Sequence, residues 1–172
     1  MLYKELKDIG FVSYERVKSI QRLKNEFGIN APDSVIKQFY LDHHDKDSFI
    51  EFYGHIDLHT IKWTLIEVST ENILAIDDAA TYPDFIKDVS IDIKYCNKIS
   101  DIDVRADVVH HWKNYATWKT PPIFLDGTKL KKPTKKLHLV EGHTRVGNLK
   151  GIFSKKLFKL ADFHKIYYGI IT

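Results

Sequence analysis

A short polar segment near the C-terminus, Glu141-Gly-His-Thr-Arg145, combines residue types that can bind a phosphate group. Gly142 permits a tight turn and lets a ligand approach the backbone closely. Thr144 offers a hydroxyl, and Arg145 offers a planar guanidinium that can grip a phosphate with two parallel hydrogen bonds. His143 can donate to an anion or transfer a proton, and Glu141 can hold a metal, a ribose hydroxyl or a water molecule. The segment predicts phosphate binding by residues 142–145, with Glu141, His143 and Arg145 as candidate catalytic residues.

The surrounding pattern indicates a strand, a glycine turn and then a helix. Residues 137–140 have the composition of a strand, and residues 145–153 have helical character. The start of a helix presents unpaired N–H groups and positive dipole character, which favour an anion. The alternative is a plain turn without a ligand, in which Thr144 caps the helix and Glu141 pairs with Arg145 in solvent.

A turn-rich loop precedes this junction and contains five lysines against one aspartate, Asp126. The lysines are Lys129, Lys131, Lys132, Lys135 and Lys136. A hairpin would bring the base of this loop close to the junction, where the lysines would guide DNA, RNA or a nucleotide. The alternative is a solvated hairpin tip. Asp126 itself is either a metal-binding carboxylate at a strand end or an ordinary first residue of a turn.

Two histidine pairs, His43–His44 and His110–His111, raise the question of a metal site. Adjacent residues on a helix point about 100° apart, so neither pair favours chelation of one ion. A spacing of four residues, as between His43 and Asp47, suits chelation better. Surface or helix-cap positions are the preferred interpretation, and the metal ligands stay unknown.

Composition sets the broad class of the protein. The chain has 172 residues, of which 44% are hydrophobic and 13% aromatic, and its formal net charge is +3. These values suit one compact domain and permit a nucleic-acid partner without requiring one. The single cysteine, Cys96, excludes an internal disulfide and a cysteine-based zinc site. We find no apolar signal segment and no run long enough to span a bilayer, which predicts a cytoplasmic protein without a membrane partner.

The periodicity of the chain predicts alternating helices and strands within a single domain, residues 1–172, of the α/β (α+β) class. Residues 1–45 form a helical N-terminal extension, with one helix at 13–28 that Ser13 caps and another at 33–42. A further helix is predicted at 102–118, with an apolar stripe that runs from Val104 to Tyr115. Strands are predicted at 48–56, 60–69, 89–95, 123–125, 137–140 and 164–171.

The stretch Leu139-Val-Glu-Gly-His-Thr-Arg-Val-Gly-Asn-Leu-Lys150 resembles the signature of the ParB/sulfiredoxin-like superfamily, in which a strand leads into a glycine-centred box followed by a helix. The preceding Trp118-Lys-Thr-Pro-Pro-Ile-Phe-Leu125 is similar to the Pro-Ile strand of that family. Residues 61–69 resemble its opening strand. The resemblance covers about residues 60–171, which would be the core of the domain, and it is specific at 137–152.

The resemblance implies a nucleotide-binding fold with a small mixed sheet, flanking helices and phosphate contacts from Gly142, His143, Thr144 and Arg145. His143 stands where sulfiredoxins need a catalytic cysteine, so sulfiredoxin chemistry is excluded. The double-arginine form of the box is absent, and no helix-turn-helix region follows the box. We therefore expect a stand-alone member that binds a nucleotide or nucleic-acid phosphate, in a mobile-element or defence setting.

The activity that such a member would carry is hydrolysis of a nucleotide or a phosphodiester, as an NTPase or a nuclease, with magnesium as the divalent cofactor. Two alternatives stay open. One is a non-catalytic regulatory domain that keeps the fold and binds a protein partner. The other is a DNA- or RNA-binding module that uses the lysine-rich loop at residues 129–136.

Overall fold

The structure is a computed structural model that describes residues 1–11, 15–76, 81–82 and 84–172. Its helices are α1 (Arg16–Asn25), α2 (Asp33–Val35, continued by a π-helical turn at Ile36–Leu41), α3 (Asp47–Tyr53), α4 (Thr70–Leu74), α5 (Phe85–Asp92), α6 (Ala106–Tyr115) and α7 (His143–Lys155). Its strands are β1 (Ile61–Ser69), β2 (Ile123–Asp126), β3 (Leu137–Glu141) and β4 (Phe163–Ile171). Short 3₁₀ turns lie at Tyr3–Ile9, Leu58–Thr60, Ile93–Tyr95, Ile99–Asp101 and Gly127–Lys129.

The strands form one mixed sheet in the order β1-β4-β2-β3. β2 and β3 are antiparallel and form a hairpin in which Asp126 lies opposite Leu137. β2 and β4 are parallel, with Phe124 opposite Tyr168. Helices together with a small mixed sheet confirm the predicted α+β class.

Packing divides the chain into two compact units, each built from separate segments. Unit 1 comprises Met1–Thr64, Ile123–Glu141 and Tyr167–Thr172. Unit 2 comprises Leu65–Pro122 and Gly142–Ile166. The N-terminal residues 1–45 belong to unit 1, together with the β2–β3 hairpin. The predicted division into an extension and a core stays a prediction.

Unit 1 is built around buried aromatic side chains. The ring centroids of Tyr3 and Phe39 lie 4.9 Å apart in a stacked pair, and Phe39 meets Tyr53 edge to face at 5.3 Å. Tyr40 is fully buried and accepts a hydrogen bond of 3.1 Å from Nε1 of Trp63. Burial raises the pKa of the Tyr40 phenol far above its usual range. Much of the high aromatic content is therefore core material.

Unit 2 depends on a close approach of α5 to α7, which two glycines permit. A Cβ atom at Gly147 would lie 2.7 Å from Cβ of Val89, and one at Gly151 would lie 2.5 Å from Cβ of Ile93. Atoms at these separations would overlap, so any side chain larger than a hydrogen would push the two segments apart. The two glycines lie four residues apart and thus share one face of α7.

Two predicted strands are helices in the structure. The prediction of a strand at 48–56 is wrong, because residues 47–53 form α3. Phe49 and Tyr53 are both fully buried and lie four residues apart, which is the spacing of one helix face. The prediction of a strand at 89–95 is also wrong, since α5 and the following 3₁₀ turn occupy that stretch. There Ile86 and Ile93 supply the buried positions, seven residues apart.

The predicted helix at 102–118 is shorter in the structure, and its predicted apolar stripe does not hold at the ends. α6 begins at Ala106 and ends at Tyr115. Val104 lies outside the helix and is fully exposed, and Tyr115 is 62% exposed, whereas Trp112 is buried. In the N-terminal part, α1 confirms a helix within 13–28, while the predicted cap Ser13 lies outside the described residues.

Candidate phosphate-binding site

The chain enters α7 through Gly142, whose φ of 108° and ψ of 23° lie in the left-handed region. A Cβ atom at this position would lie 2.4 Å from Cβ of Pro122 and 3.2 Å from Nε of Arg145. Residues with a side chain rarely adopt such a backbone conformation, and a side chain at this position would also collide with the ring of Pro122. The predicted order of strand, glycine turn and helix is therefore present, and glycine alone fits the turn.

Thr144 is the second residue of the thirteen-residue helix α7, and its side chain is exposed. Among the described residues, neither its amide nor its hydroxyl has a hydrogen-bond partner. Gly142 carries no capping side chain, and its carbonyl accepts the first helical hydrogen bond, from the amide of Val146 at 3.0 Å. Thr144 therefore presents two donors to solvent at the positive end of the helix dipole.

The guanidinium of Arg145 is held beside the same turn. Its Nη1 donates a hydrogen bond of 2.9 Å to the carbonyl oxygen of Thr120, and its Nε lies close to Gly142. The side chain is partly exposed. Unit 2 thus brings a glycine turn, a hydroxyl and a guanidinium together within the first turn of one helix. An arrangement of this kind can bind an anion by charge and by directed hydrogen bonds.

His143 lies in the interior of unit 2, where only 4% of its surface is exposed. Its ring meets Tyr82 edge to face at 5.1 Å between centroids and Phe85 at 6.2 Å. A ring in this position anchors the start of α7 to Tyr82 and to the first residue of α5. The predicted roles of His143 in phosphate contact and proton transfer stay predictions.

Glu141 ends β3 and belongs to unit 1, where it meets a histidine. Its Oε2 lies 3.7 Å from Nε2 of His43, and the His43 ring stacks on Phe49 at 4.0 Å between centroids with an interplanar angle of 3°. The contact of His43 with Glu141 was not predicted from the sequence, which suggested only that the spacing of His43 and Asp47 would suit chelation better than that of adjacent histidines. The end of β3 therefore places the Glu141 carboxylate beside the His43 ring.

The lysine-rich loop is a hairpin loop between β2 and β3, as predicted, and all five of its lysines are exposed. Asp126 acts as the first residue of the turn. Its Oδ1 accepts hydrogen bonds from the amide of Thr128 at 3.1 Å and from the hydroxyl of Thr128 at 2.6 Å. These bonds, the hydroxyl bond first, hold the pKa of the Asp126 carboxyl below its usual value. The turn alternative therefore describes Asp126.

The histidine pairs take local partners. Nε2 of His110 lies 2.8 Å from Nδ2 of Asn114, and the ring of His111 lies 4.6 Å from that of Tyr115. Nδ1 of His44 lies 2.9 Å from the carbonyl oxygen of Leu41. Within the described part of the chain, no group of three or more His, Cys, Asp or Glu side chains is placed to hold a metal ion.

Sequence reasoning missed a buried histidine in unit 1 that connects the hairpin loop to α3. His138 lies on β3, and its Nε2 is 2.8 Å from the hydroxyl of Tyr53 while its Nδ1 is 2.9 Å from the hydroxyl of Thr134. Phe52 stacks on the ring at 5.7 Å between centroids. The one available signal was a histidine inside an otherwise apolar strand.

A second missed histidine, His164, lies in unit 2 and is 1% exposed. Its Nε2 lies 2.9 Å from the hydroxyl of Thr70, and its Nδ1 lies 2.7 Å from the hydroxyl of Thr117. Burial lowers the pKa of His164 from 6.5 to about 4, so the ring is neutral near pH 7. Its role is to connect three segments of unit 2.

Comparisons of this chain with family models, with curated proteins and with solved structures found no match. The resemblance to the ParB/sulfiredoxin-like superfamily therefore stays a prediction. Among the described residues, no helix has the length and apolar character that crossing a membrane requires.

Proposed function

We propose that residues 142–145 bind a phosphate group of a nucleotide or of nucleic acid at the start of α7. The observation that carries the proposal is Thr144, which is exposed at the second position of the helix and has no hydrogen-bond partner among the described residues. The ligand would contact the exposed Thr144 and the partly exposed Arg145, because Gly142 and His143 are both buried. Arg145 adds a positive charge at the same turn.

The proposal extends to hydrolysis of a triphosphate or a phosphodiester. Arg145 and the first amides of α7 would stabilise the charge that develops on the phosphoryl oxygens. His143 would orient water or transfer a proton, and the catalytic role of Glu141 stays a prediction. No group of three or more His, Cys, Asp or Glu side chains in the described part of the chain is placed to hold a metal ion, and no step of the proposal passes through one.

Thermal unfolding of the whole chain tests phosphate binding directly. The ligands are ATP, CTP, GTP, their diphosphates and inorganic triphosphate, each with and without magnesium. A ligand at a hundred times its dissociation constant should add about 2.7 kcal/mol to the free energy of unfolding. We expect a ligand-dependent rise in melting temperature for wild type that Arg145→Ala and Thr144→Val both reduce.

Two controls separate binding from folding. Thr144→Val keeps the shape of an exposed side chain and should leave the unliganded melting temperature almost unchanged. Arg105→Ala removes an exposed arginine of unit 2 that pairs with Asp103, away from α7 in sequence, and should keep the ligand response. No response of wild type to any of these phosphates, or an equal response in all variants, would contradict the proposal.

A second candidate function is the binding of a protein partner without catalysis. Unit 2 favours it by exposing large apolar side chains, among them Tyr95 at 80%, Phe163 at 60% and Phe153 at 53%. Exposed aromatic residues of this kind are enriched at protein interfaces. If no phosphate raises the melting temperature of wild type, and Tyr95→Ser and Phe153→Ser abolish capture of a protein partner that Arg145→Ala retains, the interaction role is supported over the phosphate site.

A further inference from the structure

The hairpin loop between β2 and β3 carries a dense positive charge. The chain has a net charge of +3, and residues 127–136 hold five lysines and no acidic residue, so the rest of the chain carries −2. All five side chains are exposed. A polyanion would therefore be attracted to a local excess of positive charge at this loop, which the small total charge of the chain conceals.

The loop has a fixed backbone shape. The amide of Gly127 donates to the carbonyl of Lys136 at 3.2 Å, and the amide of Thr134 donates to the carbonyl of Gly127 at 2.9 Å. A Cβ atom at Gly127 would lie 2.1 Å from the carbonyl oxygen of Lys135, so the loop closes tightly there. Leu130 is buried and anchors the middle of the loop. A preformed loop loses less conformational entropy when it binds.

A hydrogen-bond chain that leads from the exposed Thr134 to buried residues holds the far side of the loop. Thr134 bonds to His138, and His138 bonds in turn to Tyr53 of α3. The two connections are 2.9 Å and 2.8 Å long, and both His138 and Tyr53 are buried. The lysine-rich loop is therefore connected by hydrogen bonds to the core of unit 1.

Carboxylates pair with some lysines of this protein but not with most of those in the loop. Lys18, Lys24 and Lys119 form ion pairs with Glu15, Asp33 and Asp107. In the described part of the chain, four of the loop lysines form no ion pair: Lys129, Lys131, Lys132 and Lys136. The nearest carboxylate in sequence, Asp126, is held by Thr128. The pKa of His55 is lowered, mainly by burial and to a lesser extent by the positive charge of Lys131.

We propose that residues 127–136 bind the sugar-phosphate backbone of duplex nucleic acid without regard to base sequence. The loop has no aromatic side chain on which an unpaired base could stack, which disfavours single strands. Its one large aliphatic side chain, Leu130, is buried, which disfavours insertion into a lipid bilayer. This site is independent of the phosphate site at α7 and would stand if that site failed.

Fluorescence anisotropy with a labelled 20-base-pair duplex, measured from low to moderate salt, tests the proposal on the whole chain. The test variant replaces Lys129, Lys131, Lys132 and Lys136 with Gln. The matched control replaces four exposed lysines of unit 1 elsewhere, Lys4, Lys7, Lys37 and Lys62, and changes the net charge equally. We expect at least a tenfold loss of affinity for the test variant and a much smaller loss for the control.

The salt dependence gives a second readout. Each phosphate contact contributes about 0.9 to the slope of log K against log salt for a duplex, so the test variant should lose about 2 to 4 from that slope. Replacing the same four lysines with Arg should keep both affinity and slope. Thr134→Val should weaken binding severalfold without changing the slope, since it loosens the loop and keeps its charge.

Other ligands decide among the remaining outcomes. Equal losses in the test and control variants would overturn the proposal in favour of diffuse charge attraction. Tighter binding to a single strand of the same length, or to vesicles with one-third phosphatidylserine, would also overturn it. Duplex DNA and duplex RNA both have a sugar-phosphate backbone, so the affinity of the protein for each is measured. The nucleotide response of the test variant should equal that of wild type, which separates this loop from the site at α7.

Discussion

At the residue scale, Gly142 carries the most specific requirement of the candidate site. We expect Gly142→Ala to lower the free energy of unfolding by roughly 2–4 kcal/mol, because the left-handed backbone costs about 1–2 kcal/mol and the overlap with Pro122 adds a similar amount. Urea unfolding measures the loss. Gly28→Ala is the matched control, since Gly28 has a φ of 66° and nothing lies within 4 Å of its added Cβ. A loss at Gly142 no larger than at Gly28 would refute the close packing on Pro122.

Individual residues also show which features of the candidate site can be predicted from the sequence. The glycine turn follows from local chain geometry, and the sequence pattern predicts it. The burial of His143 does not, because Tyr82 and Phe85 lie about sixty residues earlier in the chain. The partner of Arg145 is a backbone carbonyl, that of Thr120, and carbonyls carry no sequence signal.

At the element scale, the close packing of α5 on α7 requires two glycines in α7, although glycine has a low propensity for helices. Alanine is better than glycine in a helix by about 1 kcal/mol, so a solvent-facing Gly→Ala change should stabilise α7. We expect Gly147→Ala and Gly151→Ala each to destabilise the protein by about 1–3 kcal/mol instead, because the added methyl would overlap Val89 or Ile93. Chemical denaturation of both variants shows whether each substitution lowers or raises the free energy of unfolding.

Ser154→Ala is the control for these variants, since Ser154 lies on α7 and is exposed. It should be neutral or slightly stabilising. If Gly147→Ala or Gly151→Ala stabilises the protein as much as Ser154→Ala does, the close contact of the two helices is refuted. This comparison isolates packing from propensity because all three substitutions introduce alanine into the same helix.

Local sequence patterns predict some helices and strands correctly, whereas the type of others depends on packing against distant residues. The four strands were predicted close to their ends, since each is rich in apolar and β-branched residues. α3 was predicted as a strand because Phe and Tyr favour strands, whereas the burial of Phe49 and Tyr53 four residues apart selects a helix. α5 depends on glycines in α7, and no local window contains both helices.

At the scale of the whole molecule, buried His164 ties stability to pH. Its folded pKa is about 4 and its ordinary value is 6.5, so the unfolded chain binds the proton more tightly. Stability is therefore fully present above pH 6.5 and is lost as the pH falls toward 4. A difference of about 2.5 pKa units corresponds to about 3 kcal/mol, lost at up to about 1.4 kcal/mol per pH unit. Urea unfolding at half-unit pH steps measures this dependence.

The variant His164→Gln removes the titrating ring and keeps groups that can hydrogen-bond to Thr70 and Thr117. Its free energy of unfolding should be lower than that of wild type at pH 7 and should approach it as the pH falls to 4. His55 and His111 also have lowered pKa values, each mainly through burial, and they contribute equally to both proteins. The difference between the two curves therefore reports His164. Parallel curves would mean that His164 is not held neutral in the folded protein, and the buried bridge between Thr70 and Thr117 would then be wrong.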